Sequence, residues 1–334
     1  MKNMVSLIIV NYNGRRFLPR LFKSIAKQTV KNYESILVDN GSSDDSLAYV
    51  SRYFPQVKIV KTGNNGFGCG CNRGVEAASG EYFAFLNEDM YLPENFVEVM
   101  LTAYQRKENQ KIKVGGISCK LVDFDSNPDD MPNKYGGQID LFGFPINRYF
   151  RSDIFTISGC PFFISQKTLK KVRGWNESIF LYGEDMDLSW RLKILGYTNF
   201  MEHKTHIFHF GGGTTGNFGP IKIAHNLTIS LVPMLVNYST FTLLMILPIY
   251  FIYILLINIF LFLAKKFDYQ YPQAIVLRYL SILKNWPKII KMRRYIQSKR
   301  IKSDWYIFHY VSFLPAFLVN SSYQKLSSQY VIKN

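Results

Sequence analysis

Between residues 5 and 86, short apolar runs rich in β-branched residues alternate with amphipathic segments, and that alternation leaves few folds open. Val5-Ser6-Leu7-Ile8-Ile9-Val10 closes into Asn11-Tyr12-Asn13-Gly14. Phe17, Leu18, Leu21, Phe22 and Ile25 then recur at helical spacing. Ser35-Ile36-Leu37-Val38 ends in Asp39-Asn40-Gly41-Ser42-Ser43-Asp44, and Leu47, Val50 and Phe54 suggest the next helix. Val57–Val60 is a third strand pattern, followed by the glycine-rich turn Gly63–Gly68, which opens a helix through Asn72 to Ala78. Tyr82–Leu86 is a fourth strand. Strands alternating with helices at this spacing predict βαβ units, an α/β fold and a mostly parallel sheet flanked by helices.

The polar clusters fall in one kind of place. Asn11–Gly14, Asp39–Ser43, Asn64–Gly68 and Asn87–Asp89 each follow a strand. In a parallel sheet the strand ends of one polarity share an edge, so these loops are expected to converge on a nucleotide crevice. The candidate donor-nucleotide residues are Asn11, Asn13, Asp39, Asn65, Gly66, Asn72 and Asn87, with Asp39 placed to accept hydrogen bonds from a base or ribose. The glycine turn lets backbone approach a ligand. Neither the dinucleotide-binding G-x-G-x-x-G after the first strand nor a Walker lysine motif is present. Each loop taken singly is also compatible with ordinary turn chemistry.

Two acidic clusters carry the chemistry. Phe85-Leu86-Asn87-Glu88-Asp89 runs from a buried strand into adjacent carboxylates. An unpaired buried charge is too costly to keep. With a phosphate nearby, Asp89 suits a hard divalent cation, which prefers oxygen ligands; the alternative is a capping or turn pair. The second cluster is Gly183-Glu184-Asp185-Met186-Asp187-Leu188, opening a helix whose stripe is Leu188, Leu192 and Leu195. Asp187 can pair with Arg191 one turn on, and acids suit a helix N-terminus. Adjacent Glu184 and Asp185 repel, which pushes a carboxyl pKa upward and marks a candidate general base. His206 and His209 lie on a strand-like run and point to opposite faces, and the glycines after His209 favour that residue as the one beside the metal.

Between the clusters, Phe96, Val97, Met100, Leu101 and Tyr104 read as one helix and Ile112–Cys119 as a strand. Asp123–Gly137 reads as a loop over an acceptor site. Ile154–Gly159 and Phe162–Ile164 read as further strands.

These motifs, Ile8–Asn13, Val38–Asp44, Asn65–Gly68, Leu86–Asp89 and Glu184–Leu188, resemble family 2 glycosyltransferases of the GT-A fold, nearest the rhamnosyltransferase-like subgroup, over about residues 4–230. The resemblance implies a metal-dependent, inverting hexosyltransferase that moves a sugar from a nucleotide-diphosphate donor. Asp39 would contact the pyrimidine. Asp89 matches the last acid of the family's D-x-D-like motif and would bind Mn²⁺ or Mg²⁺, with Asn87 in place of the first Asp and Glu88 where Pro is usual. Asp185 matches the general base, with Glu184 beside it, and His209 a histidine near the metal or diphosphate. Trp175-Asn176-Glu177 stands where the family has F-D-E and supplies the candidate acceptor residues.

Composition bears mainly on the tail. Residues 241–334 carry 13 Lys and Arg against 2 acids, whereas residues 1–240 carry 27 against 22. Phe241–Ala264 has no charge and is interrupted by Pro248; about 20 apolar residues suffice to span a bilayer. Basic charge beside such a stretch points to an anionic membrane surface, and nucleic acid is not an expected partner. The expected organisation is a catalytic domain over 1–230 and a membrane-associated, apolar and basic region over 231–334. The segment 241–264 is read as a hairpin bent at Pro248, an in-plane segment or a single crossing. Tyr306–Val319 is read as interfacial or packed on the catalytic domain. No signal peptide is visible, and Cys69, Cys71, Cys119 and Cys160 suit a reducing compartment and a packing role. The expected setting is the cytoplasmic face of the cell membrane, with a glycan or glycolipid acceptor. A polyprenyl-phosphate sugar synthase and a nucleotide-sugar-binding protein without turnover are the alternatives.

Overall fold

The computed structural model of the protein describes residues 3–124, 137–146, 153–157, 159–210, 228–264, 268–314 and 316. Its first part follows the alternation in the sequence. The strands β1 (Val5–Asn11), β2 (Tyr33–Asp39), β3 (Lys58–Lys61) and β4 (Tyr82–Asn87) enclose the helices α1 (Leu18–Ala26), α2 (Ser46–Tyr53) and α3 (Phe67–Ala77). All of β1 is buried, as expected of a central strand covered on both faces. Helix α1 buries Leu18, Leu21, Phe22 and Ile25, the predicted face.

Helix α3 lies unusually close to the sheet. A Cβ at Gly74 would run into Ile8 Cγ2, and one at Gly70 would come within 3.1 Å of Val10. Gly68 therefore belongs to the helix and not to the turn, which ends at Gly66.

The second half keeps the sheet mostly parallel, as expected, and adds short antiparallel members to it. It contributes β5 (Met90–Tyr91), α4 (Phe96–Asn109), β6 (Val114–Asp123), β7 (Gln138–Asp140), β8 (Pro145–Ile146), β9 (Asp153–Ile154), β10 (Phe162–Ser165), α5 (Gln166–Lys171), α6 (Glu184–Ile194) and β11 (Thr198–His209). Among the described residues the main sheet runs β3-β2-β1-β4-β10-β6-β11-β5, with β9 on β11. The pairs β2–β3, β1–β2, β1–β4 and β6–β11 are parallel. In contrast, β10 is antiparallel to β4 and β6, and β5 and β9 are antiparallel to β11. The sheet is mixed because β10 enters from the opposite end, after a cis Cys160–Pro161 bond. The run read as a strand from Ile154 to Gly159 pairs only through Asp153–Ile154. Beyond it, the Ile157 amide donates to the Ser189 hydroxyl of α6. The loop read over 123–137 falls, for 125–136, outside the described residues.

The C-terminal region continues as α7 (Leu231–Asn237), α8 (Thr240–Ala264), α9 (Gln270–Lys284), α10 (Trp286–Ser298), α11 (Asp304–Phe308) and β12 (Val311–Ser312). Every residue of α7 is buried, and β12 pairs with β7. Residues 231–238 and 286–312 thus share the core of the residues before 210. Ile307 and Tyr310 pack inward, whereas Trp305, Phe313 and Leu314 are exposed.

Gly74→Ala forces a methyl group into Ile8 and is expected to cost about 1–3 kcal/mol of stability, read as a lower denaturant midpoint with unchanged slope.

Candidate active site

The loops after β1, β2, β3 and β4 do meet. Asn11 Nδ2 donates to Asp39 Oδ1 and to Ser42 Oγ, both at 3.0 Å. The Ser43 amide donates to Asn13 Oδ1 at 2.8 Å, and Asn40 Nδ2 to the Gly66 carbonyl at 3.3 Å. A Cβ on Gly14 would strike both Asn11 Oδ1 and Glu88 Cγ, so the turn after β4 lies against the turn after β1. Asp39 is buried and also accepts from the Ser42 amide, so it organises the β2 turn. Asn11 keeps Oδ1 buried without a partner. Asn65 is exposed at the rim.

Gly66 has φ +97°, and a Cβ there would collide with the Phe180 carbonyl. That carbonyl accepts from the Phe67 amide at 2.9 Å. The close approach this glycine permits is therefore to the segment that leads into α6, not to a ligand. Asn72 is likewise occupied. Its Nδ2 donates to the Trp175 carbonyl and to Glu177 Oε1, and its Oδ1 accepts from the Trp175 amide.

The proposed acceptor residues are turned to structure for the same reason. Trp175 is 1% exposed and packs edge-on against Phe67, Phe85 and Phe162. Asn176 is buried, with Oδ1 accepting from the Ser178 amide and hydroxyl. Asn72 thus ties α3 to Trp175 and Glu177 of the 174–177 turn.

Strand pairing brings the second half of the site in. His209 is in register with Met90, and the Phe210 amide donates to the Asp89 carbonyl at 3.1 Å. His209 Nε2 consequently lies 3.1 Å from Asp89 Oδ1. His206 instead sets its ring edge-on to Phe208. His209 Nδ1 is buried with no partner. A buried carboxylate beside an imidazole with an unmet nitrogen suits a divalent cation that takes its other ligands from phosphate. Among the described residues no three His, Cys, Asp or Glu side chains come together as a complete metal cage.

Phe162 faces Phe85 across the β4–β10 ladder. Beyond the end of that ladder, Asn87 and Gly159 line the same cavity. The Gly159 amide donates to Asp185 Oδ2, and Asp185 Oδ1 accepts from the Met186 amide at 2.7 Å. Cys160 feels Asp185, Glu184, Asp89 and Glu88, although burial is the first reason its thiol is held well above the usual range. The two acidic clusters therefore occupy one neighbourhood.

A cavity of about 270 Å³ opens there, lined by Asn87, Gly159, Tyr182, Glu184 and Asp185 among others. Asp89 is not on its wall; Asn87 is the link. Asp185 is partly exposed and Glu184 is buried behind it. Burial, and then the neighbouring Asp185, push the Glu184 carboxyl up to about 8. Burial also raises Asp185, against the backbone N–H groups that lower it. Glu184 Oε2 has no partner. Asp187 plays the structural part expected of it. It is fully buried, bonds Arg191 Nε at 2.7 Å and accepts from Asn237 at 3.0 Å. Arg191 in turn binds the Val172 and Gly174 carbonyls.

Sequence reading missed Pro145, Tyr182 and Ile229 on the cavity wall. Tyr182 has φ +59° beside Gly183, and nothing in its residue type announces that. Pro145 and Ile229 arrive through tertiary packing alone.

The chain is similar to known proteins over part of its length. An uncharacterized glycosyltransferase of Rickettsia typhi is 30% identical over 192 residues, covering 55% of this chain and 57% of its own. The putative glycosyltransferase EpsH of Bacillus subtilis is 34% identical over 100 residues, 29% of each chain. The chain thus spans little more than half the length of the first relative and less of the second. The crystal structure of S. aureus TarS superposes with a TM-score of 0.50 at 17% identity, covering 70% of this chain and 40% of that one, a likeness of fold alone. The family profile described as glycosyl transferase family 2 matches residues 6–173, half of the chain. The protein belongs to that family and has the GT-A fold.

Proposed function

We propose that the protein is an inverting hexosyltransferase acting at the cytoplasmic face of the cell membrane. Its donor is a nucleotide-diphosphate sugar, with rhamnose the leading candidate. Its acceptor is a hydroxyl of a lipid-linked or cell-surface glycan. The observation that carries the reading is the cavity that joins Asn87, at the end of β4, to Glu184 and Asp185 at the start of α6.

An alcohol is a poor nucleophile at neutral pH, so its proton must leave as it attacks. Asp185 is the accessible carboxylate of the pair and takes that proton. The acceptor oxygen bonds to the anomeric carbon as the bond from that carbon to the diphosphate oxygen breaks. The nucleotide diphosphate departs with the electron pair. Attack from the Asp185 side, opposite the leaving group, inverts the centre, because no carboxylate nucleophile intervenes. Asp89 and His209 would hold Mn²⁺ or Mg²⁺, which neutralises charge gathering on the diphosphate. Asn11, Asn13 and Asp39 line the nucleotide side. Glu184 keeps a proton at neutral pH, and burial is what raises the basicity of Asp185.

The apolar part of the cavity wall, which includes Phe67, Ile157, Leu181 and Ile229, favours a second reading in which a polyprenyl phosphate is the acceptor. A phosphate is already ionised at neutral pH and needs no base.

Asp185→Asn is expected to lower turnover about 10²–10⁴-fold while a thermal-shift titration shows nucleotide-sugar stabilisation unchanged. Turnover close to that of the parent would remove Asp185 as the base and favour the phosphate acceptor. Glu184→Gln, neutral like the protonated parent side chain, is expected to leave the acidic limb of the rate–pH profile in place and to remove any change in rate as pH rises through about 8.

The same variant tests burial through stability. The Glu184 carboxyl rises from 4.5 to about 8 on folding, so its stabilising contribution is full at low pH and is lost as pH climbs through that range. Glu184→Gln should be more stable than the parent above about pH 8, with the difference vanishing toward pH 4.5.

A further inference from the structure

The chain leaves the catalytic body after α7 and comes back to it at α10. Arg293 Nη1 donates to the Leu235 and Tyr238 carbonyls, both at 2.7 Å. Gln297 donates to the Val236 and Asn237 carbonyls at 2.9 and 3.1 Å. These bonds satisfy the open C-terminal carbonyls of α7. Tyr295 reaches the Lys171 carbonyl of α5 at 3.1 Å, and the Ile301 and Lys302 amides both donate to the Ile194 carbonyl of α6 at 2.9 Å. Residues 286–302 are thus fastened to the same body as residues 166–194 and 231–238.

A single crossing by α8 would put those two groups on opposite sides of a bilayer. It would break every one of these contacts. The excursion must begin and end on one side.

Its geometry is that of an antiparallel pair. Phe251 packs against Tyr279 at 6.0 Å, and Phe262 against Tyr269 at 5.2 Å. Helix α8 carries no charge in its 25 residues, and Phe241, Leu244, Ile252, Leu256, Phe260 and Leu263 are all more than half exposed. Their spacing puts them on one face, while Ile246, Tyr250 and Ile254 are buried on the other. On α9, Val276, Leu277, Leu280 and Leu283 are exposed to the same degree. Helix α9 has 15 residues, roughly 22 Å at 1.5 Å per residue, too short for a hydrocarbon core of about 30 Å.

What covers this face is set by its surroundings. Lys284, Lys288, Lys291 and Arg294 are exposed where α9 passes into α10, and Tyr269, Trp286 and Trp305 are exposed at its margins. A wide uncharged face with aromatic and cationic edges matches one leaflet with anionic headgroups.

We infer that α8 and α9 form a monotopic anchor, a helical hairpin that enters one leaflet against anionic phospholipid and returns to the side it came from. The inference deepens the membrane placement proposed above. Its tests read membrane side and vesicle binding, not sugar transfer, so its failure would leave the transfer reading standing.

The four native cysteines are buried, so a membrane-impermeant maleimide reads only introduced thiols. In the full chain, exposed Ser51→Cys and Lys299→Cys are expected to label in inverted vesicles and not in sealed cells. Labelling from opposite sides would overturn the hairpin. Labelling of both from outside would keep the hairpin and overturn the cytoplasmic placement.

In a flotation assay the parent should rise with vesicles of phosphatidylcholine and phosphatidylglycerol. Leu256→Asp with Phe260→Asp should remain below, with nucleotide-sugar binding intact. Lys288→Glu with Lys291→Glu, outside the apolar face, should reduce recovery on the anionic vesicles on the order of tenfold or more. A parent that stays in the aqueous fraction as a dimer, with this face covered by a second copy, would overturn the proposal.

Discussion

The antiparallel pairing of β10 with β4 is the constraint on which the site rests. It leads the chain from a cavity wall shared by Gly159 and Asn87, with Cys160 in electrostatic reach of Glu88 and Asp89. The Gly159 amide then binds Asp185. Two acidic clusters nearly a hundred residues apart in the chain are joined by one register and one backbone N–H. Shifting β10 by a single residue would turn its side chains to the other face and remove that donor from Asp185.

Around this seam the protein keeps carboxylates in places that ordinarily expel them. Asp187 is tolerated because Arg191 and Asn237 meet its oxygens. Asp185 is tolerated because two backbone amides meet its own. Glu184 has no such relief for Oε2, and it resolves the conflict by holding a proton. The residues that look decorative in the sequence hold this assembly still: Asn72 ties α3 to the 174–177 turn, and Gly66 lets residue 180 dock on α3.

The sheet's first half was legible because β-branched runs and helical stripes are local patterns, and each polar loop follows its strand directly. That Asp89 and His209 come together was also legible, since an ionisable group that closes an apolar strand does nothing for packing. What was less legible has one cause. Trp175, Asn176, Asn72 and Gly66 are polar, aromatic or glycine residues next to a site, and from sequence alone a residue that supports a site looks like one that contacts a ligand. Tertiary pairing decides between the two. The mixed character of the sheet was hidden for the same reason, because strand direction is not written in a strand's composition. The tail's apolarity was plain, but its return to the catalytic body depends on Arg293 and Gln297 meeting α7 carbonyls, which no local pattern displays.

The central claim is that a cation near Asp89 and a proton acceptor at Asp185 serve one anomeric carbon. The most direct test is a crystal structure with a nucleotide-diphosphate sugar and Mn²⁺, with the metal located by its anomalous scattering. The expected result is a peak about 2.0–2.6 Å from an Asp89 oxygen, a diphosphate bound to it, and the sugar's anomeric carbon presenting its open side to Asp185. A metal held away from Asp89, or a sugar whose anomeric carbon is shielded from Asp185 by the protein, would contradict it.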